Sequence, residues 1–282
     1  MKSPIRIIII ALALFILQGC GLQFWYNRIA WLSTWYADDY VTLSSIQEER
    51  IETLVDKHAT WHRTTQLPRY NQFIDDFSAN LRNRTVADKY DSYGDRLINF
   101  YHTILDRVLD DAINELAQLS DEQVDELMTN INESAKDQSE EFLGKSNEER
   151  LEQSLEEATE SYEEWFDDLT EDQEMMIHDF VSSLKPTGKL RMEYLKQWRE
   201  AFSLALTERQ SESGKKALRS LIKDPRQLRS PALINNSKHN DALRKSFQLE
   251  LFNSASDEQI EHFIDYLDEY REDFSELIKD VD

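Results

Sequence analysis

The sequence predicts an all-α protein, an elongated multi-helix bundle, and three observations lead there. Apolar residues recur at spacings of three and four, and no stretch alternates with period two long enough to make a strand. Only 6 Gly and 5 Pro occur in 282 residues, whereas a β-sandwich or barrel needs a turn signal every ~8–12 residues. Four segments open with one helix-start spelling. A hydrophobic fraction of 40%, with 11% aromatic residues, is enough to close a core around such helices.

The chain opens on a targeting segment, residues 1–19. Lys2 and Arg6 form its charged start, and residues 7–17 are apolar throughout, too short for a bilayer span of ~20 residues. It runs into Leu17-Gln18-Gly19-Cys20, which holds the one Cys of the chain. This ending resembles the lipobox of bacterial lipoproteins. The resemblance implies a diacylglycerol on the Cys20 thiol, cleavage before that residue and acylation of the new amine. Gly21, where Asp would signal inner-membrane retention, makes the chain similar to lipoproteins sorted to the outer membrane, on its periplasmic face. An ordinary secretory signal with an incidental Cys20 is the alternative. Residues 20–23 are then the anchor, 24–184 an N-terminal helical lobe and 185–282 a C-terminal one. The division falls at Lys185-Pro186-Thr187-Gly188, where a turn signal coincides with a reversal of charge.

Directly after the anchor comes the densest aromatic run, Phe24, Trp25, Tyr26, Trp31, Trp35, Tyr36 and Tyr40. On a helix, Trp25, Ile29, Leu32 and Tyr36 share one face, and Arg28, Trp31 and Trp35 another. Such rings lie in a headgroup layer, pack a first helix onto a bundle, or form a partner site. Asp38 and Asp39 beside them are the carboxylate pair best placed for acid/base work, although sequence neighbours point to different helix faces. His58 and His62 stand four apart, but Ala59 follows the first where a zincin has Glu, and no Glu-x-x-His occurs. No metal or other cofactor is expected. Pro68 marks the next break. From Val86, the positions Tyr90, Tyr93, Leu97, Phe100, Tyr101, Ile104, Leu105, Val108, Ala112 and Leu116 predict one continuous buried stripe on a long helix. Leu151, Leu155, Ala158, Tyr162 and Trp165 give the Glu-rich stretch an apolar face. Pro225 and Pro231 mark a loop. Ile260, Phe263, Ile264, Leu267, Tyr270, Phe274 and Leu277 line a last helix.

The shared helix start is L-[S/T]-x-x-Q. It appears as Leu43-Ser44 with Gln47, Leu119-Ser120 with Gln123, and Leu169-Thr170 with Gln173; a fourth copy has Ala255-Ser256 with Gln259. Its physical basis is the capping box: the hydroxyl accepts the backbone N–H three residues on, and the Gln reaches back to the cap's own N–H. The spelling also resembles the LTxxQ motif of periplasmic chaperones of the Spy/CpxP type, which implies binding of unfolded clients. A longer resemblance covers residues 20–77. Tyr26-Asn27-Arg28, Trp31-Leu32, Trp35-Tyr36, Asp38-Asp39-Tyr40-Val41, the first L-S-x-x-Q, Trp61-His62-Arg63 and Leu67-Pro68-Arg69-Tyr70 are similar to the opening of a proteobacterial lipoprotein family. That resemblance implies a lipobox, an all-helical mature part and no established activity.

Charge is unevenly spread. Residues 109–184 hold 3 basic and 25 acidic residues, and residues 185–245 hold 15 basic and 6 acidic. Either the basic segment interleaves with the acidic ones, or it forms a cationic face for lipid A phosphates or an anionic partner. A formal net charge of −23 excludes a nucleic-acid binder, because a phosphate backbone would be repelled. No nucleophile elbow, Walker loop or dinucleotide fingerprint is present. The expectation is a non-catalytic, lipid-anchored module that binds another envelope protein, or alternatively a membrane-tethered chaperone. Its candidate contact residues are Trp25, Trp31, Trp35, Tyr36, Asp38, Asp39, Tyr40, Trp61, His62 and Arg63.

Overall fold

A computed structural model describes residues 20–280. The signal segment 1–19 and the Cys20 side chain lie outside the described residues. The all-α expectation is met: the described chain is helix joined by short turns, with no strand among the described residues. In order the helices are α1 (Cys20–Tyr26), α2 (Ile29–Ala37), α3 (Ser45–Thr65), α4 (Leu67–Arg82), α5 (Val86–Leu116) and α6 (Asp121–Gly144). Then come α7 (Asn147–Phe166), α8 (Glu171–Ser183), α9 (Gly188–Thr207), α10 (Glu212–Lys223), a 3₁₀ turn (Pro225–Leu228), α11 (Pro231–Ser254) and α12 (Asp257–Lys279).

Every copy of the repeated spelling is a complete capping box, at Ser44/Gln47, Ser120/Gln123, Thr170/Gln173 and Ser256/Gln259. A fifth box, Ser146/Glu149, starts α7 with Glu in place of Gln. The four Gln boxes also pair. Gln47 Nε2 donates to Gln123 Oε1 at 3.0 Å, and Gln123 Nε2 returns a bond of 2.9 Å. Gln173 and Gln259 repeat this at 3.0 and 2.9 Å. Each Gln oxygen still accepts its own cap N–H, so one amide closes a helix start and joins it to another. In both pairs the second Gln also donates to the carbonyl just before the first motif, Thr42 or Asp168, at 2.9 Å.

The two pairs belong to two repeated units, residues 41–144 with α3 to α6 and residues 147–279 with α7 to α12. Phe73, Phe77, Leu81 and Arg84 have the spacing of Trp198, Phe202, Leu206 and Arg209. The rings stack in both units, Phe73 on Phe77 at 6.0 Å and Trp198 on Phe202 at 4.9 Å. Ser120-Asp121-Glu122-Gln123 recurs letter for letter at residues 256–259.

The units are interlocked. One core joins Leu43, Ile113, Val124 and Met128 of the first unit to Phe202, Leu206, Leu218 and Leu221 of the second. The other joins Phe166, Ile177, Ile260 and Ile264 of the second to Leu81, Val86 and Tyr93 of the first. Each unit thus inserts a helix corner, α4–α5 or α9–α10, into its partner's core. Both cores draw on residues from both sides of Lys185, so the division into lobes 24–184 and 185–282 does not separate one core from the other. A third, smaller core seats α1 by Leu22 and Tyr26 against Leu67 and Leu277.

An arginine clasps each inserted corner. Arg209, only 5% exposed, donates to the Leu119 carbonyl from Nε and Nη2 at 2.9 and 2.8 Å. It also reaches the Leu206 carbonyl at 3.1 Å and Asp121 at 2.6 Å. Arg84 does the same for the other unit, donating to the Ala255 carbonyl at 2.7 Å and to Asp257 at 2.6 Å. Its left-handed backbone, φ 57°, is unusual for a non-glycine residue.

Two sequence expectations change. The stripe on α5 is not continuous: Tyr93, Phe100, Leu109 and Ile113 are buried, but Leu97 and Tyr101 are 54% and 52% exposed. Between its two ends α5 crosses from one core to the other; at its middle α4 covers the Phe100 side, through Tyr70 and Phe73, and Leu97 and Tyr101 stay exposed. In the second unit the equivalent stretch is broken by the 3₁₀ turn, which folds back so that Tyr194 donates to the Pro225 carbonyl. The basic segment pairs only in part. Arg209 bridges to Asp121, Arg219 to Asp110, Lys223 to Asp106 and Lys245 to Asp91.

Candidate functional site

The sequence-selected residues gather at the end where α1 and α2 meet α3. α1 buries Leu22 and Tyr26, one turn apart on one face, and this turns Phe24 and Trp25 outward, 47% and 40% exposed. They meet edge to face at 5.2 Å. On α2 the buried residue is Thr34, whose hydroxyl donates to Glu52 of α3 at 3.1 Å. Trp31 and Trp35 therefore point outward, stacked at 6.2 Å and 52% and 57% exposed. Tyr36 is also exposed and donates to the Tyr40 hydroxyl at 3.4 Å. Arg28 lies over the Phe24 ring, 3.7 Å from its centroid.

Beneath this surface is a hydrogen-bonded aromatic chain. The Tyr26 hydroxyl lies 2.7 Å from His62 Nδ1, and His62 Nε2 lies 3.2 Å from the Tyr70 hydroxyl. With its proton on Nε2, the neutral ring accepts from Tyr26 and donates to Tyr70. Burial favours that neutral form, lowering the His62 pKa from 6.5 to about 4, and it pushes both tyrosines up to about 12. Arg63 sits over the Tyr26 ring at 4.9 Å and donates to Asn27. Arg107 of α5 sits over the half-buried Trp61 ring at 5.5 Å. His62 and Arg63 thus fasten the end of α1 to the bundle, while Trp61 on the same helix meets α5.

The His62 site has a pH consequence. An unfolded chain takes up a proton near pH 6.5 that the folded site refuses. Stability from this group is complete above that pH and falls as pH drops towards 4. We expect a loss of about 2 kcal/mol from about pH 7 to pH 5, absent in His62→Gln. Denaturant midpoints of both proteins across this range check it; parallel profiles would refute it.

The other candidates separate. Asp38 and Asp39 are exposed in the turn after α2. Their carboxylates accept no hydrogen bond from the described residues. Tyr40 is half-buried, and its carbonyl accepts from Asn130 of α6 at 2.9 Å. His58 does not share a site with His62: its Nε2 lies 2.9 Å from Asp111, which also pairs with Lys57. Among the described residues no group of three or more His, Cys, Asp or Glu is placed to hold a metal. A void of about 10 Å³, lined by Leu81, Arg84, Val86 and Phe252 among others, has room for one water. Sequence reasoning passed over Tyr26 and Tyr70 as partners of His62, and Arg84 and Arg209 as clasps. The matching spacing of the two arginines was the available signal.

Fold and site together define an all-α protein of two interlocked capping-box units with an aromatic N-terminal end. Residues 39–233 match a family of unknown function, DUF6279. Since this is well over half of the chain, the chain belongs to that family. No curated protein and no solved structure matches it.

Proposed function

We propose that this protein is a lipid-anchored, non-catalytic helical module of the outer membrane that binds or scaffolds another envelope protein. The observation that carries the reading is where the exposed aromatics fall. Phe24, Trp25, Trp31, Trp35 and Tyr36 are all outward-facing and all lie between Cys20 and Ala37. Rings left uncovered beside an acylated cysteine make a contact surface at the membrane.

A membrane-tethered chaperone is the second reading, favoured by the paired L-[S/T]-x-x-Q motifs. Such a protein needs a broad apolar concavity, whereas here the exposed large apolar side chains are densest at residues 24–36, with a second run at Leu97, Ile98 and Tyr101 and single ones elsewhere, among them Ile46, Met175 and Leu204. Cys20→Ser is expected to abolish incorporation of a fatty-acid probe; a mutant that is still labelled overturns the anchor. Photocrosslinkers at Asp39 and Tyr101 then decide the role. One dominant envelope partner supports the scaffold, and a diffuse set that grows under heat supports the chaperone.

A further inference from the structure

We infer that the outer side of α1 and α2 is a lipid seat: Phe24, Trp25, Trp31, Trp35 and Tyr36 enter the headgroup layer and Arg28 takes a lipid phosphate. The inference rests on the anchored reading above and names the chemistry that its aromatic surface meets.

Three observations choose lipid over a protein occupant. The first is reach. α1 includes Cys20, so only Gly21, Leu22 and Gln23 separate an acylated Cys20 from the first exposed ring, Phe24. At ~1.5 Å per residue, Trp25 lies only ~8 Å along the helix from the anchor. The second is charge. Residues 20–37 contain no Asp or Glu and one Arg, in a chain of formal charge −23, and every helix from α3 to α12 contains at least one acid. A surface free of carboxylates approaches phosphate headgroups without repulsion. The third is the chemistry of the side chains. Trp and Tyr combine an apolar body with a polar tip, the pairing that favours a membrane interface. Among the described residues Arg28 has no ion-pair partner; it lies over the Phe24 ring and its Nη1 donates to the Phe24 carbonyl at 3.2 Å. Its remaining N–H groups are available for a phosphate.

The inner side of the same helices is fixed. Leu22 and Tyr26 are buried against Leu67 and Leu277, and Gln23 donates to Asp273 of α12 at 3.2 Å. A seat rigidly joined to the bundle gives the protein one orientation on the membrane, which acyl chains alone do not impose.

The test uses the full lipidated protein in vesicles of phosphatidylethanolamine and phosphatidylglycerol, with and without lipids brominated near the headgroup. Tryptophan emission of the wild type is expected to be quenched by the brominated lipid. In Trp31→Ser/Trp35→Ser, whose side chains leave no core gap, the quenchable part is expected to fall at least threefold with unchanged circular dichroism. Produced from residue 21, without the signal segment or acyl chains, the mature chain is expected to keep weak binding to these vesicles. The same two Trp substitutions should reduce it about tenfold or more. Emission from the lipidated wild type that no brominated lipid quenches overturns the seat. So does vesicle binding of the unacylated mature chain that is indifferent to the two Trp. Failure of the anchored reading shows separately, as a Cys20 that carries no fatty-acid label.

Discussion

Gln173→Ala is expected to lower the unfolding free energy by about 3 kcal/mol, and Gln47→Ala, at the equivalent place, by about 1 kcal/mol. Both glutamines do the same two jobs, closing their own helix start and exchanging amide bonds with a partner. They differ in surroundings. Gln173 is 1% exposed and its partner Gln259 is 7% exposed, whereas Gln47 and Gln123 are half-buried. Removing Gln173 takes one donor and one acceptor from the Gln259 amide where water does not reach, leaving it only the Asp168 carbonyl and its own cap N–H. Water replaces the missing partner in the other pair. Denaturant unfolding of the two variants measures the contrast, and a double-mutant cycle on Gln173 and Gln259 should give a coupling of about 1–3 kcal/mol. Equal losses at the two sites would refute the pairing as the source.

Arg209→Met is expected to destabilise by about 3–4 kcal/mol, while Asp121→Asn costs less than about 1 kcal/mol. The ion pair joins them, yet their environments are opposite: the Arg209 side chain is 6% exposed and that of Asp121 is 90% exposed. Most of what Arg209 does is satisfy the Leu119 and Leu206 carbonyls at the joint between an inserted corner and the start of α6. Methionine fills the space but donates nothing, so the Leu119 carbonyl loses its donor, while the Leu206 carbonyl keeps the Arg209 backbone N–H. Arg84→Met should cost less, about 1–2 kcal/mol, because the Arg84 side chain is 34% exposed and water takes over part of its role. Thermal or denaturant unfolding ranks the three. An Asp121→Asn loss as large as that of Arg209→Met would assign the effect to the salt bridge.

Local physics was legible in the sequence, and partnership was not. The capping boxes at Ser44, Ser120, Thr170 and Ser256 follow from four consecutive letters, because a cap is an interaction within one turn. That their glutamines join in pairs across 76 and 86 residues depends on how helices are brought together. Periodicity identified one face of α5 but not its cover, so Leu97 and Tyr101 were placed in a core that does not extend to them. The charge reversal near Lys185 suggested a boundary, since composition changes there; packing ignores it, because the corner α9–α10 belongs to the other unit's interior. At the N-terminal end the aromatic run was visible. Which rings turn inward was decided by Leu22 and Tyr26 on α1 and Thr34 on α2.

The exchange of corners also orders events in time. A chain emerges from the ribosome N-terminus first, and the core around Leu109 and Ile113 stays open until Phe202, Leu206, Leu218 and Leu221 have followed. The other core waits for Ile260, Phe263 and Ile264, close to the end of the chain. An early half has nothing to close upon, so folding is deferred and then concerted, slowed by contacts between residues distant in sequence. A polypeptide built this way remains threadable through a narrow channel until nearly all of it has passed.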